Sequence, residues 1–110
     1  VDTMTEKAYD PAMDVNCKVA FNWVQEVLKT MNPGKPGTII ITSSIRGSVA
    51  EELIPTYGIS KSARRMLTQS IAIENGPEGM TAVSVSPGHA DTSLLRNTFY
   101  KHAPDAGKDP

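Results

Sequence analysis

Residues 42–61, TSSIRGSVAEELIPTYGISK, decide the fold and contain the most informative pattern of the chain. The β-branched run just before them predicts a buried parallel strand over residues 37–43. Ser44 therefore lies at the carboxyl end of that strand, which is the edge of an open α/β sheet at which ligands bind. Tyr57 follows 13 residues later, and Lys61 comes four residues after it. The stretch thus predicts a hydroxyl at a strand end beside a Tyr-x-x-x-Lys pair.

The Tyr57–Lys61 pair falls in a stretch that predicts a helix from Pro55 or Thr56 to Glu74. A four-residue spacing puts the two side chains one above the other on the same helix face. A lysine ammonium beside a phenol favours phenolate over phenol, so the pair is suited to proton transfer. Each residue by itself also has a structural interpretation, since surface Tyr–Lys pairs are common and a serine after a strand is often a cap.

The amino-terminal third predicts one long amphipathic helix. Residues 1–9 are polar and non-periodic, whereas Asp10 is typical of an N-cap and Pro11 of the first helical position. The helix is expected to end at residues 32–34, NPG. Apolar residues recur between these points at spacings of three and four, which predicts one buried face. That face consists of Met13, Cys17, Ala20, Val24, Val27, Leu28 and Met31, with Asn16 as a polar interruption.

Two kinds of residue on this helix need an interpretation. A buried amide such as that of Asn16 must find hydrogen-bond partners or cost about 1–3 kcal/mol, so a satisfied structural asparagine is its simplest interpretation. Cys17 is the single cysteine, cannot form an internal disulfide and is interpreted as a core thiol. Phe21 and Trp23 are interpreted as packing or interface residues.

The second predicted helix and the strand after it, over residues 80–86, complete a strand–helix–strand unit with a parallel sheet. Arg64 and Arg65 are expected to point away from the core. The small residues Gly58, Ser62 and Ala72 predict a close helix–helix contact. The predicted core face consists of Ile59, Ala63, Met66, Leu67, Ser70 and Ile71.

Two segments have open interpretations. The acidic pair at 51–52 in the loop 45–54 is most simply solvated, and the alternative is that Leu53 and Ile54 line a substrate mouth. Residues 89–110 are polar with Pro and Gly, and they predict either a substrate loop or a frayed end.

Four motifs in this order resemble one known family. The patterns S-S-x-x-G at 43–47 and Y-x-x-x-K at 57–61 resemble the catalytic segment of the classical short-chain dehydrogenases/reductases. The sequence DVN at 14–16 resembles the helix segment that carries the family's asparagine, and PGHADT at 87–92 resembles its P-G-x-x-x-T segment. The extended relatives of this family have a longer serine-to-tyrosine interval, so the interval of 13 favours the classical group.

The resemblance implies a role for each matching residue. Tyr57 is expected to be the general acid/base, and Ser44 the donor that orients the substrate. Lys61 is expected to assist Tyr57 and to contact a ribose hydroxyl of the cofactor, which is NAD or NADP. Asn16 is expected to anchor a water that relays protons to the lysine. The cofactor is expected to contact Tyr57, Lys61, Pro87, Gly88 and Thr92.

The resemblance also implies the fold. Residues 1–110 are expected to form a single partial NAD(P)-binding domain, the helix–strand–helix–strand part of a Rossmann-type α/β/α sandwich with a doubly wound parallel sheet. The chain starts at Val1 and carries no glycine-rich turn for a dinucleotide pyrophosphate ahead of residue 37. We therefore expect it to be the carboxyl-side part of a longer dehydrogenase and to be inactive alone.

Net charge and apolar content limit the classes of partner that this chain is expected to bind. A net charge of −1 gives no electrostatic basis for binding nucleic acid or an anionic membrane. The sequence has no signal-peptide pattern and no run of about 18 apolar residues, so a cytoplasmic location is expected. The expected partners are a small-molecule alcohol or carbonyl and, at full length, further copies in a homodimer or homotetramer.

Other function classes fit less well. A serine hydrolase needs G-x-S-x-G at its nucleophile, and the segment around Ser44 lacks it. His89 and His102 have no spacing typical of a catalytic triad or a metal site, so no metal is expected. The remaining alternative is a catalytically inactive fragment that acts as a helix-pairing interaction module.

Overall fold

The computed structural model describes residues 1–31, 34–52 and 54–102, with the backbone alone for 98–102. The expected helix end at 32–33, Leu53 of the predicted substrate mouth and residues 103–110 of the predicted loop lie outside this description. The helices and strands are α1 (Glu6–Met13), a π-helical turn (Asp14–Lys18), α2 (Val19–Thr30), β1 (Gly37–Thr42), α3 (Pro55–Asn75), β2 (Met80–Val85) and α4 (Ser93–His102). Short 3₁₀ turns, Ile45–Gly47 and Gly76–Glu78, precede α3 and β2.

The first helix begins earlier than the sequence predicted. Thr5 is the N-cap of α1, because its Oγ1 accepts a hydrogen bond from the Ala8 amide at 3.2 Å. The prediction that Asp10 is the cap and Pro11 the first helical residue is wrong, since Pro11 lies inside α1. The error arose because none of the residues of α1 is buried, so the first turn carries no apolar periodicity.

The predicted apolar stripe of this helix is its inward face. Val24 is buried, and the other predicted members are half-buried, Asn16 among them. Between α1 and α2 the helix widens, and the Val19 amide donates to the Asp14 carbonyl five residues back. This π-helical turn contains both Asn16 and Cys17, and the sequence did not predict it. Such turns are frequent at functional sites.

The two strands pair in parallel, with Gly37 opposite Met80 and Thr42 opposite Val85. The prediction of two parallel strands joined through a helix is confirmed, and each strand is one residue shorter than expected. Pairing extends past the strands, because the Ser43 amide donates to the Val85 carbonyl at 2.7 Å. The carboxyl ends of β1 and β2 therefore lie side by side.

The core lies between the sheet and the helices α2 and α3. Its centre consists of Val24, Ile41 and Ile71, and the half-buried Leu28, Ile39, Leu67 and Ala82 pack around it. The opposite face of the sheet carries Ile40, Val83 and Val85, which remain 66%, 44% and 46% exposed. The described residues thus form a partial α/β fold, as predicted.

The inward face of α3 differs from the predicted one. Ile59 and Met66, which were expected in the core, are 50% and 60% exposed. Arg64, which was expected to point away, is half-buried. The face is rotated by about one position because its first turns pack against a polar loop through hydrogen bonds, which apolar periodicity does not register. The buried residues of α3 are Thr56, Ser60, Thr68 and Ile71.

The segment after β2 contains more structure than the predicted loop or frayed end. Helix α4 occupies residues 93–102 of it, and a role as a substrate loop stays a prediction. Within the described residues, no helix is long and apolar enough to cross a membrane.

Candidate active site

The loop over residues 43–48 is fastened to the first half of α3. Ser43 donates its hydroxyl to the Lys61 carbonyl at 2.7 Å, and Ser62 donates to the Gly47 carbonyl at 2.6 Å. Gly58 permits the contact, because a Cβ at this position would come 2.9 Å from the Arg46 carbonyl oxygen. These contacts hold the end of β1 beside the helix turn that carries Lys61.

Ser44 lies in this loop with extended backbone and is 8% exposed. Its Oγ accepts a hydrogen bond from the Arg46 amide at 3.2 Å, so it caps the first 3₁₀ turn. A hydroxyl that accepts one bond still has its proton to donate. Ser44 can therefore be both a cap, as its structural interpretation holds, and a donor to a substrate oxygen.

Tyr57 and Lys61 lie on one face of α3, as their spacing predicts. The Lys61 Nζ lies 5.5 Å from the centroid of the Tyr57 ring, within range of a cation–π attraction. Tyr57 is 39% exposed, so part of the residue remains open to solvent. Burial of its ammonium, and secondarily the positive charge of Arg64, lower the pKa of Lys61.

Asn16 faces α3 from the π-helical turn. Its side-chain Nδ2 donates to the Ser60 Oγ at 3.2 Å, and Ser60 in turn donates to the Tyr57 carbonyl at 2.8 Å. Ser60 is fully buried. The amide on the predicted apolar stripe is thus satisfied by a partner on the helix that carries the Tyr–Lys pair.

The segment after β2 reaches the same edge of the sheet. The Ile45 amide donates to the Pro87 carbonyl at 3.2 Å, which puts Pro87 and the exposed Gly88 next to the Ser44 loop. Thr92 caps α4, because its Oγ1 accepts from the Leu95 amide at 3.1 Å. The structure thus brings together the segments that carry Asn16, Ser44, Tyr57 with Lys61, and Pro87 with Gly88, whereas Thr92 bonds the first turn of α4.

Several residues that build this site were missed by the sequence analysis. Gly58 and Ser62 were interpreted as a helix–helix surface, but both contact the loop within the chain. Ser43 and Ser60 were not singled out at all. Ser60 and Ser62 flank Lys61, and Ser43 precedes Ser44, so small hydroxyl residues next to the catalytic motifs could have indicated this network.

Metal chemistry finds no support in the part of the chain that the structure describes, where no group of three or more His, Cys, Asp or Glu side chains could hold an ion. What the edge of the sheet offers is a set of proton donors. The buried Ser44 hydroxyl lies in the loop after β1, and that loop is bonded to the helix turn that carries the Tyr57 phenol and the Lys61 ammonium. Such a set suits proton transfer to or from an oxygen atom.

Comparison with known proteins places this chain in a family. The family model described as short chain dehydrogenase matches residues 1–103. The A-factor type γ-butyrolactone 1'-reductase (1S-forming) of Streptomyces virginiae is 33% identical over 104 residues, covering 94% of this chain and 40% of the reductase. The chain thus spans about two fifths of the length of the curated relatives that it matches.

Solved structures agree with the fold. The angucycline C-6 ketoreductase with bound NADP superimposes with a TM-score of 0.77 at 32% identity, over 91% of this chain and 40% of the ketoreductase. The 4-hydroxyisoleucine dehydrogenase complexed with NADH gives a TM-score of 0.75 at 28% identity, over 92% of this chain and 45% of the dehydrogenase.

Proposed function

This chain belongs to the short-chain dehydrogenase family, and on that premise we propose that it carries the proton-transfer part of an NAD(P)-dependent oxidoreductase. The reaction interconverts an alcohol and a carbonyl in a small molecule. The observation that carries the proposal is the attachment of the Ser44 loop, at the carboxyl end of β1, to the turn of α3 that carries Tyr57 and Lys61, through the bond from Ser43 to the Lys61 carbonyl. The carboxyl ends of the strands form the sheet edge at which ligands bind in open α/β folds.

The residues at this edge fit the nicotinamide end of a dinucleotide. The Lys61 ammonium and the Tyr57 hydroxyl are donors of the kind that bind ribose hydroxyls. Gly88 is exposed, and the nearest atom to a Cβ at this position would be Ile45 Cδ1 at 4.0 Å, so the backbone of Pro87–Gly88 is open to a flat ring. Both NADH and NADP occur in the related structures, which supports either cofactor.

Tyr57 is the general acid/base of the proposed reaction. When bound, the cofactor supplies a hydride to the carbonyl carbon or accepts one from the alcohol. In the reductive direction the Tyr57 Oη donates a proton to the carbonyl oxygen, and in the oxidative direction it takes the proton back. The Lys61 Nζ, 5.5 Å from the centroid of the Tyr57 ring, puts a positive charge beside this proton donor.

Ser44 and Asn16 assist in different ways. Ser44 donates a hydrogen bond to the same substrate oxygen and fixes its position, which stabilises developing negative charge. Asn16 anchors a proton relay toward Lys61, and its bond to the buried Ser60 supports this, since it ties the amide to α3. Thr92, at the amino end of α4, completes the proposed cofactor contacts.

The proposal is tested by Tyr57→Phe in the complete gene product. We expect kcat to fall by on the order of 100-fold or more, because the proton donor is lost. Cofactor affinity, measured by fluorescence titration, should change little, whereas Lys61→Ala should reduce both. Tyr9→Phe is the matched control, since Tyr9 is also 39% exposed but lies in α1, and it should keep full activity. A Tyr57→Phe enzyme with unreduced kcat would overturn the role of Tyr57.

We propose in addition that the full-length protein forms a homodimer or homotetramer through α2 and α3. An open groove of about 1040 Å³ runs between these helices. Phe21 and Met66 line it and are 47% and 60% exposed, so pairing with a second copy would bury them. Sedimentation tests this: Met66→Glu should shift the complete gene product to monomer, and Gln69→Glu, exposed on the same helix, should not.

The same groove supports the alternative function, an inactive helix-pairing module. The two are separated by assaying the 110-residue chain beside the complete gene product. We expect the chain alone to give no turnover, because correct placement of a cofactor contributes roughly 7–11 kcal/mol and this sequence holds no glycine turn for the pyrophosphate. Association without turnover in both samples would favour the module. A cytoplasmic location stays a prediction.

A further inference from the structure

A charged side chain lies on the inward face of α3. Arg64 falls one turn after the buried Ser60 and one turn before the buried Thr68, and it is half-buried. An arginine on such a face needs partners for its guanidinium, because burying an unpaired charge is costly. It finds them in two segments that are far away in the sequence.

The two partners of Arg64 are backbone carbonyls. Its Nε donates to the Asn16 carbonyl at 2.5 Å, and its Nη1 donates to the Thr42 carbonyl at 2.9 Å. The Asn16 carbonyl belongs to the π-helical turn, and Thr42 is the last residue of β1, two positions before Ser44. One planar group therefore joins three segments that each carry a residue of the proposed site.

The chemistry of arginine suits this arrangement better than that of other residues. Its donors are fixed in one plane, so two of them can reach two acceptors at once without further loss of freedom. Hydrogen bonds from a charged donor are also stronger than neutral ones. A lysine could satisfy one of the carbonyls well, but it is a point charge on a flexible stem and fixes no relative orientation.

We infer that Arg64 is a positioning residue that holds the Asn16 turn and the end of β1 against the helix turn of Tyr57 and Lys61. Its catalytic part rests on the proposed function. Arg64 contacts no reacting atom; it acts through Asn16 and through the loop that carries Ser44. The positive charge of Arg64 helps to lower the pKa of Lys61, as expected for two cationic groups that lie close together.

The test compares three variants of the complete gene product: Arg64→Met, Arg64→Lys and Arg65→Met. Methionine keeps the length and apolar stem of arginine and removes the donors. Arg65 is the matched control, because it lies next on the same helix and also donates to a backbone carbonyl and a serine, but in the loop at 47–48. Native-state amide hydrogen exchange and steady-state kinetics are measured for each.

In Arg64→Met we expect exchange at residues 14–18 and 42–44 to become faster by about tenfold or more, as loss of a charge-assisted bond implies. We expect kcat to fall by on the order of 10- to 100-fold with KM little changed, because small misplacements of catalytic groups act on the chemical step. Arg64→Lys should recover part of kcat. Arg65→Met should leave exchange at 14–18 unchanged, because its contacts lie at 47–48.

The inference is overturned if Arg64→Met behaves like Arg65→Met in exchange, or if exchange rises while kcat stays unchanged, or if only KM changes. If Arg64→Met does not fold, Arg64→Lys decides, since intact fold with reduced kcat supports positioning and full kcat contradicts it. If the unmutated protein shows no NAD(P)-dependent activity, the proposed function fails, and the exchange comparison alone decides whether Arg64 holds the two segments.

Discussion

The two halves of α3 are built on different physical principles. In the first half, the buried residues Thr56 and Ser60 are polar, and the Ser62 hydroxyl and Arg64 donate to backbone carbonyls of other segments. In the second half, Ile71 is 3% exposed and packs with Val24 of α2. Hydrogen bonds have preferred angles, so the contacts of the first half fix the orientation of the segments that they join. The second half stabilises the fold through the apolar area that it buries.

This difference assigns a task to each half. Proton transfer needs side chains held at fixed distances, and a hydrogen-bonded contact supplies that. Stability needs apolar area removed from water, at about 25 cal/mol per Å². The helix therefore joins a small apolar core at its carboxyl end to a polar site at its amino end, and substitutions in the two halves should have different consequences.

The largest expected effect comes from the apolar half. Ile71→Ala in the complete gene product should lower the free energy of unfolding by about 2–5 kcal/mol, because it removes core contacts and leaves a cavity. Ile73→Ala is the control, since Ile73 is 77% exposed two positions away, and it should change the free energy by no more than about 0.5 kcal/mol. Urea unfolding measures both. Equal losses would show that the second half is not organised around Ile71.

The next effect concerns the close contact of the polar half. Gly58→Ala should lower the free energy of unfolding by about 1–3 kcal/mol, because the added methyl group meets the Arg46 carbonyl oxygen and the loop must shift. Urea unfolding of this variant beside the unmutated protein measures the loss. A gain from Gly58→Ala would contradict the tight packing of the loop on α3.

The sequence predicted the apolar half of this comparison better than the polar half. Leu67 and Ile71 follow from helical periodicity, and the parallel strands follow from their β-branched runs. Ile59 was misplaced because periodicity counts apolar residues, while the inward positions in the first turns are Thr56 and Ser60. Ser60 accepts a hydrogen bond from the Asn16 side chain and donates to the Tyr57 carbonyl of its own helix, and Thr56 donates to the Met4 Sδ. Polar contacts of this kind leave no apolar period in a sequence.

The candidate site was predictable to the extent that it depends on local spacing. Tyr57 and Lys61 are neighbours because any helix places residues i and i+4 on one face. The π-helical turn at Asn16 and the two contacts of Arg64 were not predictable, since each depends on how two segments approach in three dimensions. The sequence shows an arginine at 64 but not whether it faces water or two carbonyls.

A smaller effect concerns two serine hydroxyls. Ser43 binds the first half of α3 from the loop, and Ser70 lies in the second half. Ser43→Ala should lower the free energy of unfolding by about 1 kcal/mol, because the hydrogen bond from the buried Ser43 to the Lys61 carbonyl is lost. Ser70→Ala should be neutral or slightly stabilising, since Ser70 bonds only within its own helix, to the Met66 carbonyl, and alanine is the better helix former. Urea unfolding of both variants tests whether only the loop contact contributes. Equal effects would show that Ser43 does not fasten the loop.

The smallest expected effect is the pH dependence that the polar half adds to stability. Burial, and secondarily the charge of Arg64, lower the pKa of Lys61 from its ordinary value of 10.5. Between the lowered pKa and 10.5, the unfolded chain binds a proton that the folded chain does not, so stability rises with pH across this window. Below the window both states bind the proton, and the destabilising effect of the buried charge is fully present.

Lys61→Met should remove this dependence. As the pH rises toward 10.5, the free energy of unfolding of the unmutated protein should increase relative to that of Lys61→Met. At lower pH the difference between the two proteins should be constant. The gain should be well below the effects above, because Lys61 is only half-buried and solvent screens its charge. Arg64→Met adds a second test. It should make the Lys61 pKa less lowered and so reduce the pH range of the effect, but part of the range should remain because burial is the larger cause. Urea unfolding at a series of pH values measures all three proteins. A difference that shrinks as the pH rises would mean that the fold stabilises the Lys61 ammonium, and the polar half would then hold its charge in a different way.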